Sequence, residues 1–393
     1  MNHPMPRASR RTLVGMLAAA PLVAGGVLAA GTAQAGGSGT PEGLRRSGAL
    51  DDLIAQLAEE GTFSGTVRVV HQNRTILSRS VGEADRERHT ANGPDTIFGL
   101  GSITKVFTGV AIARLVQDGT ITYRDKIGTY LDGLDADIAA DTTVHHLLTH
   151  TSGLGDYMQT DGFWDGPPTW DSAEEAWDGC LAAAFRDVRT FTPGAKFQYS
   201  NTGYFLLGAI VAAASGRSYH DYVREHVFAA AGMDSADFYT TTQWAEDDRI
   251  ARPYSLQPSG ERVNEVANFL YLGGPDGGAF ANAPDLVRFV KALRGNQLLD
   301  AAHTDLVVSP KAPNPPLPAV DGKPALTPFS TYAPDATLMN GSWFLGHNGG
   351  APGLSANFEW YPDSDWTVVT LANFGERATG PIDTLIRGIL TAG

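Results

Sequence analysis

Hydrophobic and polar positions alternate in four short segments that lie near the two ends of the chain. Residues 63–70 and 76–81 flank one short polar turn, and residues 356–360 and 366–371 flank another. Alternation with a period of two is typical of strands that have one buried face, and a short polar turn between two such strands is typical of a hairpin. The pattern therefore predicts a β-hairpin at each end of the domain.

Other segments repeat their apolar residues with a helical period. Leu50, Leu53 and Leu57 share one face of the first of these segments. The predicted helices cover residues 49–60, 106–116, 204–214 and 383–390. Strands at both ends with helices between them predict an α+β fold, in which one antiparallel sheet is flanked by the terminal helices and a helical lobe is inserted at roughly 110–270.

The first 35 residues have the features of an export signal. Arg10 and Arg11 form a twin arginine, residues 13–30 are apolar and small, and Ala33-Gln34-Ala35 is a cleavage site. We predict a bacterial twin-arginine signal over 1–35 and a secreted protein without stable membrane insertion after cleavage. Residues 36–46 are then predicted to be a linker, and 47–393 the domain.

Composition narrows the class of partner. The 393 residues include 29 Lys and Arg against 43 Asp and Glu, a formal net charge of −14, which argues against nucleic acid and anionic membranes as partners. The hydrophobic content of 42% and charged content of 18% are ordinary for a globular enzyme. A lone cysteine, Cys180, cannot form an internal disulfide. The expected partner is a small-molecule or peptide substrate, and no partner protein is predicted.

The most informative chemical pattern is a single Ser-x-x-Lys formed by Ser102 and Lys105. It lies after Gly99 and Gly101, at the start of a predicted helix, where residues three apart share a face and their side chains can meet. A serine hydroxyl needs a neighbouring base to become a nucleophile, and a desolvated lysine can be that base because burial disfavours its charged form. The backbone N–H of Ser102 at the helix start can also stabilise an oxyanion.

Two further motifs follow in chain order. Tyr199-Ser200-Asn201 precedes the predicted helix over 204–214, and Gly346-His347-Asn348-Gly349-Gly350 precedes the second hairpin. The order Ser-x-x-Lys, Tyr-x-Asn, His-x-Gly resembles the serine penicillin-recognising hydrolases, a superfamily of class C β-lactamases, D-alanyl-D-alanine carboxypeptidases, D-aminopeptidases and esterases. The supporting segments are 146–154, 277–286 and 367–373. The resemblance extends over nearly all of the chain after residue 47 and implies the β-lactamase/transpeptidase-like form of the α+β fold.

The resemblance implies a role for each motif residue. Ser102 is the nucleophile, and either Lys105 or Tyr199 takes its proton. A tyrosine can do so only as a phenolate, which a neighbouring ammonium favours. Tyr199 also protonates the leaving group, and Asn201 orients the lysine and contacts the substrate amide.

The third motif supplies the rest of the expected site. His347 stands where β-lactamases have a lysine, and either holds Tyr199 by a hydrogen bond or adds positive charge when protonated. The Gly350 N–H is the second oxyanion donor beside that of Ser102. Asn348 and Gly349 are expected to contact substrate, since glycines let a strand edge approach it closely.

Metals and cofactors are not expected. His146 and His150 lie four apart, but no third ligand is evident, so packing is the favoured role for both. One aromatic-rich stretch allows two interpretations, a wall of the cleft or plain core burial. Its residues are Tyr157, Phe163, Trp164, Trp170 and Trp177.

The leading hypothesis is an exported, cofactor-free serine hydrolase that acts through a Ser102 acyl-enzyme on peptides, amides or small esters, including those of D-amino acids. The alternatives with the same chemistry are a D-alanyl-D-alanine carboxypeptidase and a β-lactamase. An alternative of another class is a non-catalytic module that binds penicillin or cell-wall peptides. Other serine-hydrolase designs are disfavoured because the chain has no Gly-x-Ser-x-Gly.

Overall fold

The structure, a computed structural model, describes residues 39–166, 169–319, 324–375 and 377–392. The predicted signal peptide lies outside the described residues. The strands are β1 (Gly65–His71), β2 (Arg74–Val81), β3 (Glu83–Asp85), β4 (Thr90–Ala91), β5 (Phe98–Gly99), β6 (Tyr254–Leu256), β7 (Arg262–Asn264), β8 (Phe280–Ala281), β9 (Ala312–Pro313), β10 (Thr327–Ser330), β11 (Asp335–Met339), β12 (Ser342–Ala351), β13 (Leu354–Tyr361) and β14 (Trp366–Ala372). The α-helices are α1 (Ala49–Glu59), α2 (Thr104–Gln117), α3 (Ala136–Asp141), α4 (Val144–Leu148), α5 (Ala173–Phe185), α6 (Asn201–Ser215), α7 (Tyr219–Val223), α8 (Thr241–Glu246), α9 (Ala283–Arg294), α10 (Ala301–Val308) and α11 (Gly380–Leu390).

The two predicted hairpins pair with each other in one sheet. Its strand order is β2-β1-β14-β13-β12-β11-β10-β9, and the neighbouring strands run antiparallel. Strand β1 lies beside β14 from Gly65↔Ala372 to His71↔Trp366, so the two ends of the domain pair within the sheet, next to its β2 edge. The turn between β1 and β2 has positive φ at Gln72 and Asn73, the geometry that closes a two-residue hairpin.

Both faces of the sheet are covered. On one face, side chains such as Val368 pack with Leu50 of α1 and Ile382 of α11. On the other face, Phe358 and Leu371 belong to the large core that the inserted helices share. The predicted α+β architecture of a sheet between terminal helices and a helical lobe is confirmed.

Two predicted ranges differ from the element bounds in the structure. Residues 36–46 are not simply a linker, because Glu42–Leu44 forms a 3-10 helix and Leu44 is buried against the terminal helices. The helical part begins at Thr104, before residue 110, and continues beyond residue 270 in α9 and α10. Helix and strand side chains share one continuous core, so a periodic pattern does not mark where the lobe ends.

Within the described ranges, no helix combines the length and apolar character needed to cross a bilayer.

Candidate active site

The nucleophile candidate lies at the junction between a tight turn and a long buried helix. Gly101 has a φ of +51°, and Gly101–Ile103 forms a 3-10 turn that leads directly into α2 at Thr104. Ser102 is therefore in the turn before the helix, with Lys105 one turn further on. The Lys105 Nζ lies 3.3 Å from the Ser102 Oγ, which confirms that the Ser-x-x-Lys spacing brings the two groups together.

Lys105 is fully buried and has three oxygen partners. Besides Ser102 Oγ, its Nζ donates to Asn201 Oδ1 at 2.8 Å and to the backbone carbonyl of Asp276. The two carbonyl oxygens can only accept, so they take two of the protons of Lys105. The remaining tetrahedral position faces Ser102 Oγ. In the ammonium this position is an N–H, and in the neutral amine it is the lone pair that can accept the serine proton.

The second motif packs around the same ammonium. Asn201 is the first residue of α6, and the aromatic rings of Tyr199 and Tyr204 lie with their centroids 4.9 and 5.5 Å from Lys105 Nζ. A cation over aromatic faces is favourable, particularly without competing water. The structure thus brings Ser102, Lys105, Tyr199 and Asn201 together as the motif order predicted.

His150 holds Tyr199 in place, a role that the sequence interpretation missed. Its backbone carbonyl accepts the N–H of Gln198 at 2.8 Å, and its Nδ1 accepts the N–H of Ser200 at 3.0 Å. The imidazole also stacks on the Tyr199 ring at 4.5 Å. Burial, with smaller effects of Lys105 and His347, holds the pKa of His150 well below its usual range, so the ring is neutral and keeps its acceptor. The sequence feature that could have indicated this role is the position of His150 within the segment 146–154, which supports the family resemblance.

The third motif approaches Ser102 at backbone contact. A Cβ on Gly349 would lie 1.9 Å from the carbonyl oxygen of Leu100 and 3.0 Å from the Ser102 nitrogen. A Cβ on Gly101 would lie 2.8 Å from the Gly350 nitrogen. The backbone nitrogens of Ser102 and Gly350 are therefore neighbours across a gap that only glycine permits, as two oxyanion donors must be.

His347 is neutral at pH 7, which corrects one of its two expected roles. Burial and the nearby Lys105 lower its pKa to about 4, against the opposing effect of a backbone hydrogen bond. Because its Nδ1 lies 2.5 Å from the carbonyl oxygen of Asn348, Nδ1 carries the hydrogen and Nε2 carries the acceptor lone pair. His347 can accept a hydrogen bond in the cleft but does not add positive charge there. Asn348 is exposed on β12 and Gly349 is buried.

Asp276 is a second residue that the sequence interpretation missed. It lies in the segment Gly273–Ala279, whose close backbone approach requires Gly278 at a φ of +131°. Its carbonyl is a Lys105 partner, and its carboxyl group is itself buried beside the Tyr157 hydroxyl. The sequence feature that could have indicated Asp276 is the pair of glycines on each side of it.

The remaining candidates have packing roles. The His146 Nδ1 accepts the backbone N–H of Thr143, and the His150 Nδ1 binds Ser200, so the two rings face different partners. Over the described part of the chain, no cluster of three or more His, Cys, Asp or Glu side chains is arranged to hold a metal ion. The aromatic stretch belongs to the core, with Tyr157 and Phe163 buried in it and the tryptophans packed against it.

The fold and this serine–lysine site define a serine hydrolase. Residues 50–390 match the Beta-lactamase family, and the chain belongs to that family. The predicted resemblance is therefore confirmed.

The chain is similar to penicillin-binding proteins and to an esterase. The chain is 29% identical over 336 residues to penicillin-binding protein 4* of Bacillus subtilis, covering 82% of this chain and 71% of that protein. It is 31% identical over 296 residues to the esterase EstB of Burkholderia gladioli, covering 65% of this chain and 74% of that protein. The structure superposes on a penicillin-binding protein from Bacillus halodurans with a TM-score of 0.74 and 27% identity, covering 84% and 98% of the two chains.

Proposed function

We propose that the protein is an exported hydrolase that cleaves small esters and amides, including those of D-amino acids, through an acyl-enzyme on Ser102. The proposal rests on the three contacts of Lys105 Nζ. Two of its N–H groups donate to the fixed oxygens of Asn201 and Asp276, and its third position faces Ser102 Oγ. A proton can therefore pass between Ser102 Oγ and the third position of Lys105 Nζ.

The proposed acylation step moves one proton and breaks one bond. Ser102 Oγ bonds to the substrate carbonyl carbon while its proton passes to the Lys105–Tyr199 pair, and the N–H groups of Ser102 and Gly350 stabilise the oxyanion. Collapse expels the alcohol or amine, which takes the proton back through Tyr199. Water then repeats the sequence on the ester of Ser102 and releases the acid.

Two observations on the described residues argue against a bound free carboxylate and favour substrates with a neutral end. Arg252, a cation distant from the third motif in sequence, is 2% exposed, and its guanidinium donates to the carbonyls of Ala245, Asp247 and Ile250. The segment from Pro324 to His347 contains no Lys or Arg. A carboxypeptidase needs such a cation or a cluster of hydroxyls beside the third motif.

Covalent labelling tests the proposed nucleophile. The mature protein is treated with a fluorophosphonate and, separately, with a penicillin, and the adducts are mapped by mass spectrometry. We expect fluorophosphonate on Ser102 and none in Ser102→Ala, with the fold intact by circular dichroism. Labelling of another serine in that variant would refute the assignment. Stable penicillin adducts without ester turnover would favour the binding module, and rapid penicillin turnover the β-lactamase.

A matched substrate pair tests the proposed specificity. We compare kcat/KM for two D-alanyl peptides that differ only in a free or an amidated C-terminus, together with a neutral p-nitrophenyl ester. The neutral substrates are expected to turn over faster. A clear preference for the free carboxylate would restore the carboxypeptidase interpretation.

Export remains part of the proposal. Expression of the full chain in a bacterium with a twin-arginine pathway should give extracellular protein whose first residue is Gly36. Replacing Arg10 and Arg11 by lysine should retain it in the cell.

A further inference from the structure

The segment that carries Asp276 is fixed to the same helix as Lys105. The Thr104 hydroxyl oxygen accepts the N–H groups of Gly278 and Ala279 at 3.1 and 3.0 Å. One turn along α2, the Thr108 hydroxyl donates to the carbonyl of Pro275 at 2.7 Å. These bonds flank Asp276 on both sides, so its position relative to Lys105 is set by the fold.

The carboxyl group of Asp276 is buried, and none of the described arginines pairs with it. Asp276 is 4% exposed, and the Tyr157 hydroxyl donates to its two carboxylate oxygens at 3.3 and 3.4 Å. The Asp276 backbone carbonyl is in direct contact with Lys105 Nζ, so covalent geometry keeps the carboxylate within about 8 Å of that nitrogen. Two other buried acids have guanidinium partners, since Asp285 pairs with Arg288 and Glu359 with Arg387.

The other titratable groups around this carboxylate add no positive charge. Burial raises the pKa of the Tyr157 hydroxyl and of the Cys180 thiol, so both stay neutral, and Asp156 is a further negative group. Over the part of the chain that the structure describes, Lys105 is the cation that acts on Asp276.

Lys105 in turn faces mostly neutral groups. The histidines His150 and His347 are neutral because burial lowers the pKa of each. Burial raises the pKa of Tyr204 well above its usual value and that of the Asp335 carboxyl to about 7. Lys105 acts on the Asp335 carboxyl as well, and what distinguishes Asp276 is the direct contact of its backbone carbonyl with Lys105 Nζ.

We propose that Asp276 is a positioning residue whose buried carboxylate favours the ammonium form of Lys105 and thereby sets the pH at which Ser102 is activated. This inference rests on the proposed function of the Ser102–Lys105 pair. Burial raises the pKa of Asp276 to about 6, against the opposing effect of Lys105, so the carboxylate is charged above that pH.

The sign of the effect does not depend on which group is the base. Activation removes one proton from the coupled Lys105–Tyr199 pair, and a negative charge nearby opposes that loss. Replacing Asp276 by the neutral, isosteric asparagine should therefore move the acidic limb of the kcat/KM profile to lower pH. At the separation given above and an effective dielectric of 20, the expected shift is roughly one to two pH units.

The experiment measures kcat/KM for a neutral ester from pH 5 to 9 in the wild type and in Asp276→Asn. The matched control is Asp285→Asn, which removes another fully buried carboxylate that bonds Arg288 and the Ser235 N–H. Tyr157→Phe is a second probe, because removing the hydrogen bond favours protonation of Asp276 and should give a smaller shift in the same direction. The pH dependence of fluorophosphonate labelling supplies a readout at the nucleophile itself.

The inference is supported if the acidic limb of the kcat/KM profile moves to lower pH in Asp276→Asn and does not move in Asp285→Asn. An unmoved or upward-moving limb in a folded Asp276→Asn overturns it, as does an equal shift in the control. An Asp276→Asn protein that does not fold at pH 8 shows a structural role and also overturns it. These results are distinct from failure of the proposed function, which would appear as turnover by Ser102→Ala.

Discussion

Replacing Gly349 by alanine should separate the two oxyanion donors. The added methyl group would lie 1.9 Å from the Leu100 carbonyl oxygen, where real contacts do not fall below about 3 Å. Strand β12 must therefore move away from the turn that carries Ser102 by about 1 Å. Leu100 is held by its own bond to the Ala279 carbonyl, so the strand rather than the turn is expected to give way.

The predicted loss is large in rate and moderate in stability. A displacement of about 1 Å in a reacting geometry costs on the order of 100-fold, and loss of one oxyanion donor costs about 100- to 1,000-fold in kcat. We therefore expect kcat for a neutral ester to fall at least about 100-fold in Gly349→Ala. Overpacking of this kind lowers the free energy of unfolding by about 1–3 kcal/mol.

The assay is steady-state ester hydrolysis combined with thermal unfolding. Gly65→Ala is a matched control, because its methyl group would also lie 1.9 Å from a carbonyl oxygen, that of Leu371, between β1 and β14. That variant should lose comparable stability but retain kcat per folded molecule.

Wild-type kcat in a folded Gly349→Ala would refute the close approach of β12 to Ser102. Equal kcat losses in Gly349→Ala and Gly65→Ala would show that the effect is general destabilisation.

Three further predictions concern the same site and its surroundings. Lys105→Ala and Tyr199→Phe should each lower kcat by orders of magnitude, and the double variant little more than either, because residues that act as a unit are non-additive; fully additive losses would indicate independent roles. His150→Ala should lower kcat as well as Tm, since it removes the acceptor for the Ser200 N–H, and a loss of Tm alone would contradict its role in placing Tyr199. Burial lowers the pKa of His220 to about 4, so its contribution to stability is full above its unfolded pKa and is lost as pH falls towards 4. Between pH 7.5 and 5, the free energy of unfolding should fall by about 2 kcal/mol less in His220→Gln than in wild type, as measured by thermal melts. An equal fall in the two proteins would count against this.

The elements predicted best are those whose pattern is local. Helices α1 and α11 and the hairpins β1–β2 and β13–β14 lie within a few residues of their predicted bounds, since one side of each packs on a core and its periodicity records that contact. Strands β10 and β11 were not predicted. They are short and lie towards the sheet edge, where alternation is weak.

The sequence by itself determined the nucleophile candidate and its nearest base. Ser102 and Lys105 meet because residues three apart share a face, so their contact depends on one turn of backbone. It also determined which motifs belong together, through their order along the chain.

Only the tertiary structure decided which groups surround the Ser102–Lys105 pair and which of those groups are charged. The partners Asn201 and Asp276 lie 96 and 171 residues from Lys105. Hydrogen bonds over such separations are fixed by how the sheet and the helices pack, and periodicity carries no record of them. The same packing removes water from His347 and so lowers its pKa, because the free energy of a charge depends on every group around it. A sequence pattern gives the groups, and burial decides which of them carry charge.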